Sequence, residues 1–291
     1  MDQNQNSLVI ANEQSMKVSS LTLDKDELQG LCRLLQERAD GAADIEVRNY
    51  HRGDQTDDQY QFNTQALQAG FRLCITIEGK NGENLSGAIE EVFSSPNFPQ
   101  EVKSLFIDSG STLKFAHKYY VRNSFVIFLD FSKPKILDFR IMPSQETPNG
   151  SSIKILGYDA TWVNGLFAEL KKFIDGKSSA LSVVHKHSIY DLMLWLLWFP
   201  IAFWVCYRLS PFIESAFASY STFITSALYV YAFAVTLFLF RFLFHYLRWV
   251  CPLVEYRAKH SRVVAHRFLL VAISASVIGS FIYDLVKLVK P

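Results

Sequence analysis

Few residues in the sequence have the types and spacings that perform chemistry. His185 and His187 lie two residues apart, but no carboxylate stands beside them to complete a metal site. The acidic stretch Asp54–Asp58 lacks the glycine and the distal glutamate of a calcium-binding loop. We therefore interpret the histidines as solvated groups of an interfacial linker and the acidic stretch as a solvated loop.

Motifs of catalysis and of cofactor binding are missing as well. The four cysteines are far apart and form no C-x-x-C pair, so neither a zinc site nor a disulfide framework is indicated. The sequence contains no phosphate-binding glycine loop, no H-E-x-x-H and no G-x-S-x-G. We therefore expect that the protein is not an enzyme, with no catalytic, cofactor-binding or metal-binding residues and no cofactor.

The residues to which the sequence does point are basic. They follow the second of three long apolar runs and form a cluster: Arg241, Arg248, Arg257, Lys259, Arg262 and Arg267. Basic side chains next to a membrane are attracted to anionic headgroups, by about 1 kcal/mol each near the surface. We predict that this cluster is a basic rim at the membrane interface and that membrane lipids are partners of the protein.

The distribution of charge divides the chain of 291 residues. Acidic and basic residues are spread through the first 191 positions and are then confined to short clusters, as in a soluble domain joined to a membrane domain. We predict a mobile tail over 1–20, a cytosolic domain over 21–176, a linker over 177–188 and a transmembrane domain over 189–291. The tail lacks the basic start and apolar run of a secretory signal.

Three apolar runs predict spans at about 189–209, 218–241 and 267–288, because about 20 residues cross the hydrocarbon core. The second run carries no charge from Ser215 to Phe240, so Arg241 falls at its end and extends toward the headgroups. A gating or ion-pairing charge within the bilayer is the alternative. The third run reaches full length only if Asp284 and Lys287 lie near the far interface, where they could pair. A re-entrant or interfacial helix is its alternative.

Small residues in the third run suggest how helices associate. Ala275 and Gly279, and likewise Ser276 and Ser280, follow the small-xxx-small pattern that allows close helix packing. We expect these four residues to pack against another helix and the protein to form a homo-oligomer.

The loops predict the orientation. Lysines precede the first span and the basic cluster follows the second, whereas the loop between these spans contains no Lys or Arg. Because basic residues stay on the cytoplasmic side, we place the N-terminal domain inside. The C-terminus then lies outside if the third run crosses.

The pattern over 21–176 predicts an α+β domain, a mostly antiparallel sheet with flanking helices. Asp24 and Glu27 have the spacing of a capping box, and Asp159 precedes the last amphipathic helix. Strands are predicted in the segments FRLCITIEG, VKSLFID, TLKFAHKYYVR, SFVIFLDF and SIKILGY, and a short helix in LSGAIEEVFSS.

The order of these parts resembles bacterial membrane proteins of antiphage defence, and among them the transmembrane effector of a retron. The resemblance lies in the strand-helix unit KILGYDATWVNGLFAELKKFI, two spans with a short outer loop, and a basic segment containing Pro252 before a last apolar run. It implies an inner-membrane toxin that damages the membrane in an abortive response to infection. It also implies a regulator made of protein or nucleoprotein: in a retron, a reverse transcriptase with its RNA and DNA product.

A second hypothesis for the function remains open from the residues alone. The chain is then a membrane-anchored adaptor or signalling protein that localises its cytosolic domain. Under either reading we expect no direct binding of nucleic acid.

Overall fold

The computed structural model describes residues 10–136, 142–258 and 263–289. The chain forms two compact units. The first, here called the sheet domain, comprises Met1–Ser132, Asn149–Ser179 and Leu253–Lys259. The second, here called the helical unit, comprises Lys133–Pro148, Ala180–Pro252 and His260–Pro291.

The sheet domain contains a six-stranded sheet in which every neighbouring pair of strands is antiparallel. Its strands are β1 (Asn12–Lys17), β3 (Cys74–Gly79), β4 (Asn84–Ala88), β5 (Val102–Asp108), β6 (Asn123–Asp130) and β7 (Ser152–Gly157), with β2 (Leu21–Leu23) outside this sheet. The spatial order is β1-β7-β6-β5-β3-β4. The predicted α+β fold class is confirmed.

Helices flank this sheet: α1 (Lys25–Arg48), α2 (Asp57–Ala69), α3 (Ile89–Ser94), α4 (Ser111–His117) and α5 (Ala160–Gly176). Asp24 caps α1, with the predicted capping box to Glu27. Asp159 accepts hydrogen bonds from the first backbone amides of α5, as its position before that helix predicts.

The core lies on one face of the sheet. Alternate residues of the central strands, such as Ile75, Leu105, Ile127 and Ile155, are fully buried. The α1 stripe that contains Leu28, Leu31 and Leu35 belongs to the same core. The intervening strand residues are partly exposed, so the opposite face of the sheet is open.

Several sequence predictions are wrong in detail. The first part of the TLKFAHKYYVR segment forms the short helix α4 and not the predicted strand. Leu113 is buried there and Phe115 is exposed, so the alternating apolar residues do not share one buried face. LSGAIEEVFSS begins as strand β4, because pairing with β3 overrides its helical pattern. Within the acidic stretch read as a loop, Thr56 caps α2, which begins at Asp57.

The predicted N-terminal tail and domain boundaries also need correction. Strand β1 lies within residues 1–20 and pairs along its whole length with β7, so backbone pairing orders a polar segment. The predicted tail residues 1–9 lie outside the described residues. Strand β8 (Val254–Tyr256) pairs in parallel with β2 and belongs to the sheet domain, although it follows two of the apolar runs in the sequence.

The helical unit contains α6 (Ile189–Met193), a π-helical turn over Leu194–Trp198, α7 (Phe199–Ala216), α8 (Thr222–Val250) and α9 (Val263–Val289). Within the part of the chain that the structure describes, three segments are long and apolar enough to cross a membrane: Ile189–Ala216, Thr222–Val250 and Val263–Lys287. The first segment begins where predicted and ends seven residues later, the second begins four residues later and ends nine residues later, and the third begins four residues earlier and ends one residue earlier.

Polar contacts show how the three long segments run within this unit. Trp198 Nε1 donates to Thr236 O at 2.8 Å, and the Cys206 thiol donates to Tyr229 O at 3.7 Å, so α7 and α8 are antiparallel. At one end of α9, Arg267 contacts Val250 O.

At the other end of α9, Asp284 accepts from Trp204 of α7. Helix α9 therefore runs from the end of α8 to the far half of α7.

Candidate functional site

The densest buried polar cluster of the helical unit lies at the C-terminal end of α8. This helix continues to Val250 because it contains neither proline nor glycine, the residues that most disfavour a helix interior. It ends where Cys251 precedes Pro252, since a residue before proline is disfavoured in the helical conformation. Arg248 and His245 are thereby placed in the last two turns of the helix.

Arg248 is 2% exposed. Its Nε donates to Val184 O at 3.0 Å and its Nη2 to Gln145 O at 2.9 Å. The guanidinium carbon lies 4.8 Å from the centre of the Phe244 ring. Among the described residues no carboxylate lies within ion-pair distance of Arg248, and the two acceptors of its hydrogen bonds are neutral carbonyl oxygens.

His185 joins the same cluster from a 3-10 helix over Ala180–His185. Its Nε2 lies 2.5 Å from Cys251 O, and its Nδ1 lies 2.8 Å from Thr147 Oγ1. A carbonyl only accepts, so Nε2 donates, and in the neutral ring Nδ1 accepts from the Thr147 hydroxyl.

Burial lowers the pKa of His185, and the charge of Arg248 lowers it further, against the hydrogen bond to Cys251 O. The prediction that His185 is a solvated linker residue is wrong, because it is 2% exposed, whereas His187 is exposed.

A cavity of about 200 Å³ adjoins these groups. Its lining contains four basic or imidazole side chains and no carboxylate among the described residues: Lys133, Pro134, Lys135, Thr147, Pro148, His245 and Arg248. We call it the basic cavity. Lys133 and Lys135 were not predicted from the sequence, because they are distant in sequence from α8. The Lys-Pro-Lys triplet itself was the available signal.

The other members of the predicted basic rim are scattered. Arg241 is partly buried in α8, about 28 Å from Thr222 along the axis. Arg267 donates to Val250 O at 3.0 Å, and Arg257 belongs to the sheet domain, where its amide donates to Leu23 O. Lys259 and Arg262 lie outside the described residues. Of the four that the structure describes, Arg248 lines the basic cavity and the other three do not.

A second polar group joins α7 to α9. Asp284 Oδ2 accepts from Trp204 Nε1 at 2.8 Å and lies 3.5 Å from Arg208 Nε. The spacing of Asp284 and Lys287 suggested that these two residues pair, but the partner of Asp284 in the structure is Arg208 of α7.

The four predicted packing residues lie mainly on the outer side of α9. Ala275, Ser276 and Gly279 are exposed, and Ser280 is partly exposed. A Cβ atom built on Gly279 has no atom within 4 Å. These residues therefore do not pack against another helix of the same chain.

No group of three His, Cys, Asp or Glu side chains that could hold a metal occurs among the described residues. Comparison with protein-family models, curated proteins and solved structures finds no match to the chain.

Proposed function

We propose that the protein is a multi-pass effector of the bacterial inner membrane that permeabilises the membrane when a sensing partner releases it, in an abortive response to phage infection. The exposure of its long helices carries this proposal. Only 6%, 11% and 0% of the most apolar windows of the three membrane-capable segments are buried inside the chain. Apolar surface of this extent requires a cover, which lipid and further copies of the helices supply.

The small-residue face of α9 supports assembly of several copies. At 100° per residue, Ala275, Ser276 and Gly279 share one side of the helix, whereas the partly buried Ser274 and Val277 lie on another. Gly and Ala let two helix backbones approach closely in a membrane, where van der Waals packing drives association. The outward face of α9 is therefore the surface through which we expect the homo-oligomer to form.

Assembly would also gather charged side chains near one membrane face. In a single chain, the described helices carry few ionisable groups, and Arg208 pairs with Asp284 about 28 Å along the first apolar segment from Ile189. Ionisable side chains inside membranes face water-filled cavities or one another. Several copies around a common axis would gather these pairs into a hydrated ring near one membrane face.

In the proposed control, a separate partner binds the sheet domain and keeps the chain inactive. We place it in the cytoplasm because the basic residues flank its side of the spans. The resemblance to a retron effector suggests a nucleoprotein regulator, a reverse transcriptase with its RNA and DNA product. The inhibition then resides in a separate partner, so the chain expressed alone should be active.

Inducible expression of the full chain in bacteria tests this function. We expect growth arrest and entry of a membrane-impermeant dye within the first generations after induction. Gly279→Leu should abolish dye entry at equal membrane abundance, because it blocks close helix approach. Leu285→Phe, which adds bulk on a different and exposed face of α9, is the matched control and should stay active. Cells that grow and exclude dye while making the unaltered chain would refute the effector function.

The adaptor function is the alternative, and the open sheet face favours it. Phe106 and Leu156 are 42% and 39% exposed there, on a folded surface suited to a protein partner. The same two variants discriminate between the functions. An adaptor uses α9 only as an anchor, so neither Gly279→Leu nor Leu285→Phe should change its signalling, and the dye should stay outside throughout.

A further inference from the structure

We propose that the basic cavity of the helical unit binds a phosphate group, namely that of an anionic phospholipid in the membrane leaflet next to the C-terminal end of α8. This site goes beyond the proposed function and does not depend on it. A free phosphate compound shares the same chemistry, so the experiment below separates the two sources.

The charge of Arg248 is the first reason. A buried cation is costly unless an anion or a set of hydrogen bonds compensates it. A guanidinium has five N–H donors, and two nitrogens of Arg248 each donate to one carbonyl oxygen. Three N–H donors remain beside a cavity with no described carboxylate in its lining. A phosphate oxygen matches these donors, because Arg binds phosphate through paired hydrogen bonds.

The rest of the lining strengthens the preference for an anion. Lys133, Lys135 and His245 lie around the same space, and Thr147 adds a hydroxyl group. Lys133 Nζ lies 5.2 Å from the centre of the Trp249 ring, which holds this cation at the end of α8. A volume of about 200 Å³ exceeds several water molecules of about 30 Å³ each, so a phosphate group fits with water around it.

Depth in the membrane points to a lipid as the source. Helix α8 has 29 residues and is about 43 Å long, whereas the hydrocarbon core is about 30 Å thick. Arg248 lies about 39 Å from Thr222 along the axis, hence about 9 Å beyond a core that begins at Thr222. That is the level of the headgroup phosphates.

An apolar cavity supplies space for an acyl chain close to the basic one. It measures about 370 Å³, lies among α7, α8 and α9, and is lined by Phe244 and Leu247 together with residues such as Leu270 and Val277. The ring of Phe244 also lies under the guanidinium of Arg248. One residue thus borders both the apolar cavity and the cation that would hold the phosphate.

The test uses full-length protein purified in a neutral detergent. The thermal unfolding midpoint is measured while phosphatidylglycerol, phosphatidylcholine or inorganic phosphate is added at constant ionic strength. Retained lipid is identified by mass spectrometry. Lys133→Gln and Lys135→Gln remove one charge each from the cavity. Lys186→Gln is the matched control, because this exposed lysine does not line the cavity.

We expect phosphatidylglycerol to raise the midpoint saturably and phosphatidylcholine not to do so. Each cavity variant should weaken binding about fivefold, since a basic residue near the surface contributes about 1 kcal/mol, and Lys186→Gln should bind as the unaltered chain does. Saturable stabilisation by inorganic phosphate with none by phosphatidylglycerol would overturn the lipid as the source. No stabilisation by either, or an equal loss in Lys186→Gln, would overturn the site. Lys135 is exposed, so its substitution does not threaten folding.

Discussion

The sheet domain and the helical unit use the same apolar residue types in opposite ways. In the sheet domain, Ile77 and Phe125 are at most 1% exposed and pack into one core. In the helical unit, Phe203, Phe223 and Phe268 are 64%, 81% and 77% exposed. The two regions therefore suit different surroundings: the first buries its apolar side chains in its own core, whereas the second leaves them exposed, as suits contact with lipid or with other copies.

The two regions also differ in where their buried polar groups lie. The sheet domain buries Glu46, which accepts hydrogen bonds from the Tyr119 hydroxyl and the Arg122 amide. In the helical unit, the charged clusters around Arg248 and Asp284 lie toward the ends of helices. Long apolar segments leave only their ends for such groups, so a ligand site in this unit is expected near a membrane interface.

The largest expected effect is on the sheet core and tests the comparison directly. Phe125→Ala removes a ring that stacks on Trp162 with 6.5 Å between centroids, and should cost about 3–5 kcal/mol in the free energy of unfolding of this domain. Phe203→Ala, at an exposed position of α7, should cost far less. Thermal unfolding of both variants in detergent measures the difference. Equal losses would show that Phe203 is buried in a packed interior.

The next effect concerns the buried carboxylate of the sheet domain. Glu46→Ala leaves the Tyr119 hydroxyl and the Arg122 amide without their acceptor, so we expect a loss of about 1–3 kcal/mol. Glu46→Gln keeps an acceptor oxygen and should lose less. Burial and Glu46 together raise the pKa of Tyr119 to about 12. Ultraviolet titration of the tyrosines should therefore show one fewer late-titrating group in Glu46→Ala; an unchanged titration would contradict this role.

The ease of sequence prediction also differs between the two regions. Strands β5 and β6 and helix α5 were found because each carries a strong period, and Asp24 and Asp159 because caps are local signals. Strand β8 was missed, since three residues pair with β2 across more than 200 positions of sequence. Local patterns contain no record of such a pairing.

The candidate site illustrates the same limit. The sequence predicted Arg248 as part of a basic rim at the membrane interface, but its burial beside a cavity could not be predicted from a cluster of charges. Lys133, Thr147 and His185 come from separate segments that only the folded helical unit brings together. The cavity therefore could not be predicted from residue spacing. The approximate positions of the three membrane-capable segments could be predicted, because each is a continuous apolar run.

A smaller effect is expected where α9 meets α7. Asp284→Asn keeps a hydrogen-bond acceptor for Trp204 but removes the charge that faces Arg208. We expect a loss of about 0.6 kcal/mol, the average for polar contacts between membrane helices. Lys287→Gln, an exposed change on the same helix, is the control. Thermal unfolding in detergent, with the Arg208→Gln and double variants, gives the coupling energy, and a value of zero would remove this contact as a link between the helices.

The smallest effect is a dependence of the helical unit on pH. Burial depresses the pKa of His185 in the folded protein below its ordinary value of 6.5, with a further contribution from Arg248. Between the two pKa values the unfolded chain binds more protons, so stability is complete above pH 6.5 and falls as the pH drops toward the folded pKa. At pH 6.5 the loss is at most about 0.4 kcal/mol, because half of the unfolded histidine is then protonated.

His185→Gln should remove this step from the pH dependence of the unfolding midpoint, whereas His187→Gln, at an exposed position two residues away, should retain it. The reason lies in the partners of the ring. Protonation would make Nδ1 of His185 a hydrogen-bond donor and not an acceptor. It would also add a second positive charge near Arg248, and no described carboxylate forms an ion pair with that arginine. If His185→Gln kept the same loss of stability in acid, another group would be the one that titrates. The polar cluster at the end of α8 would then not be the source of the pH dependence.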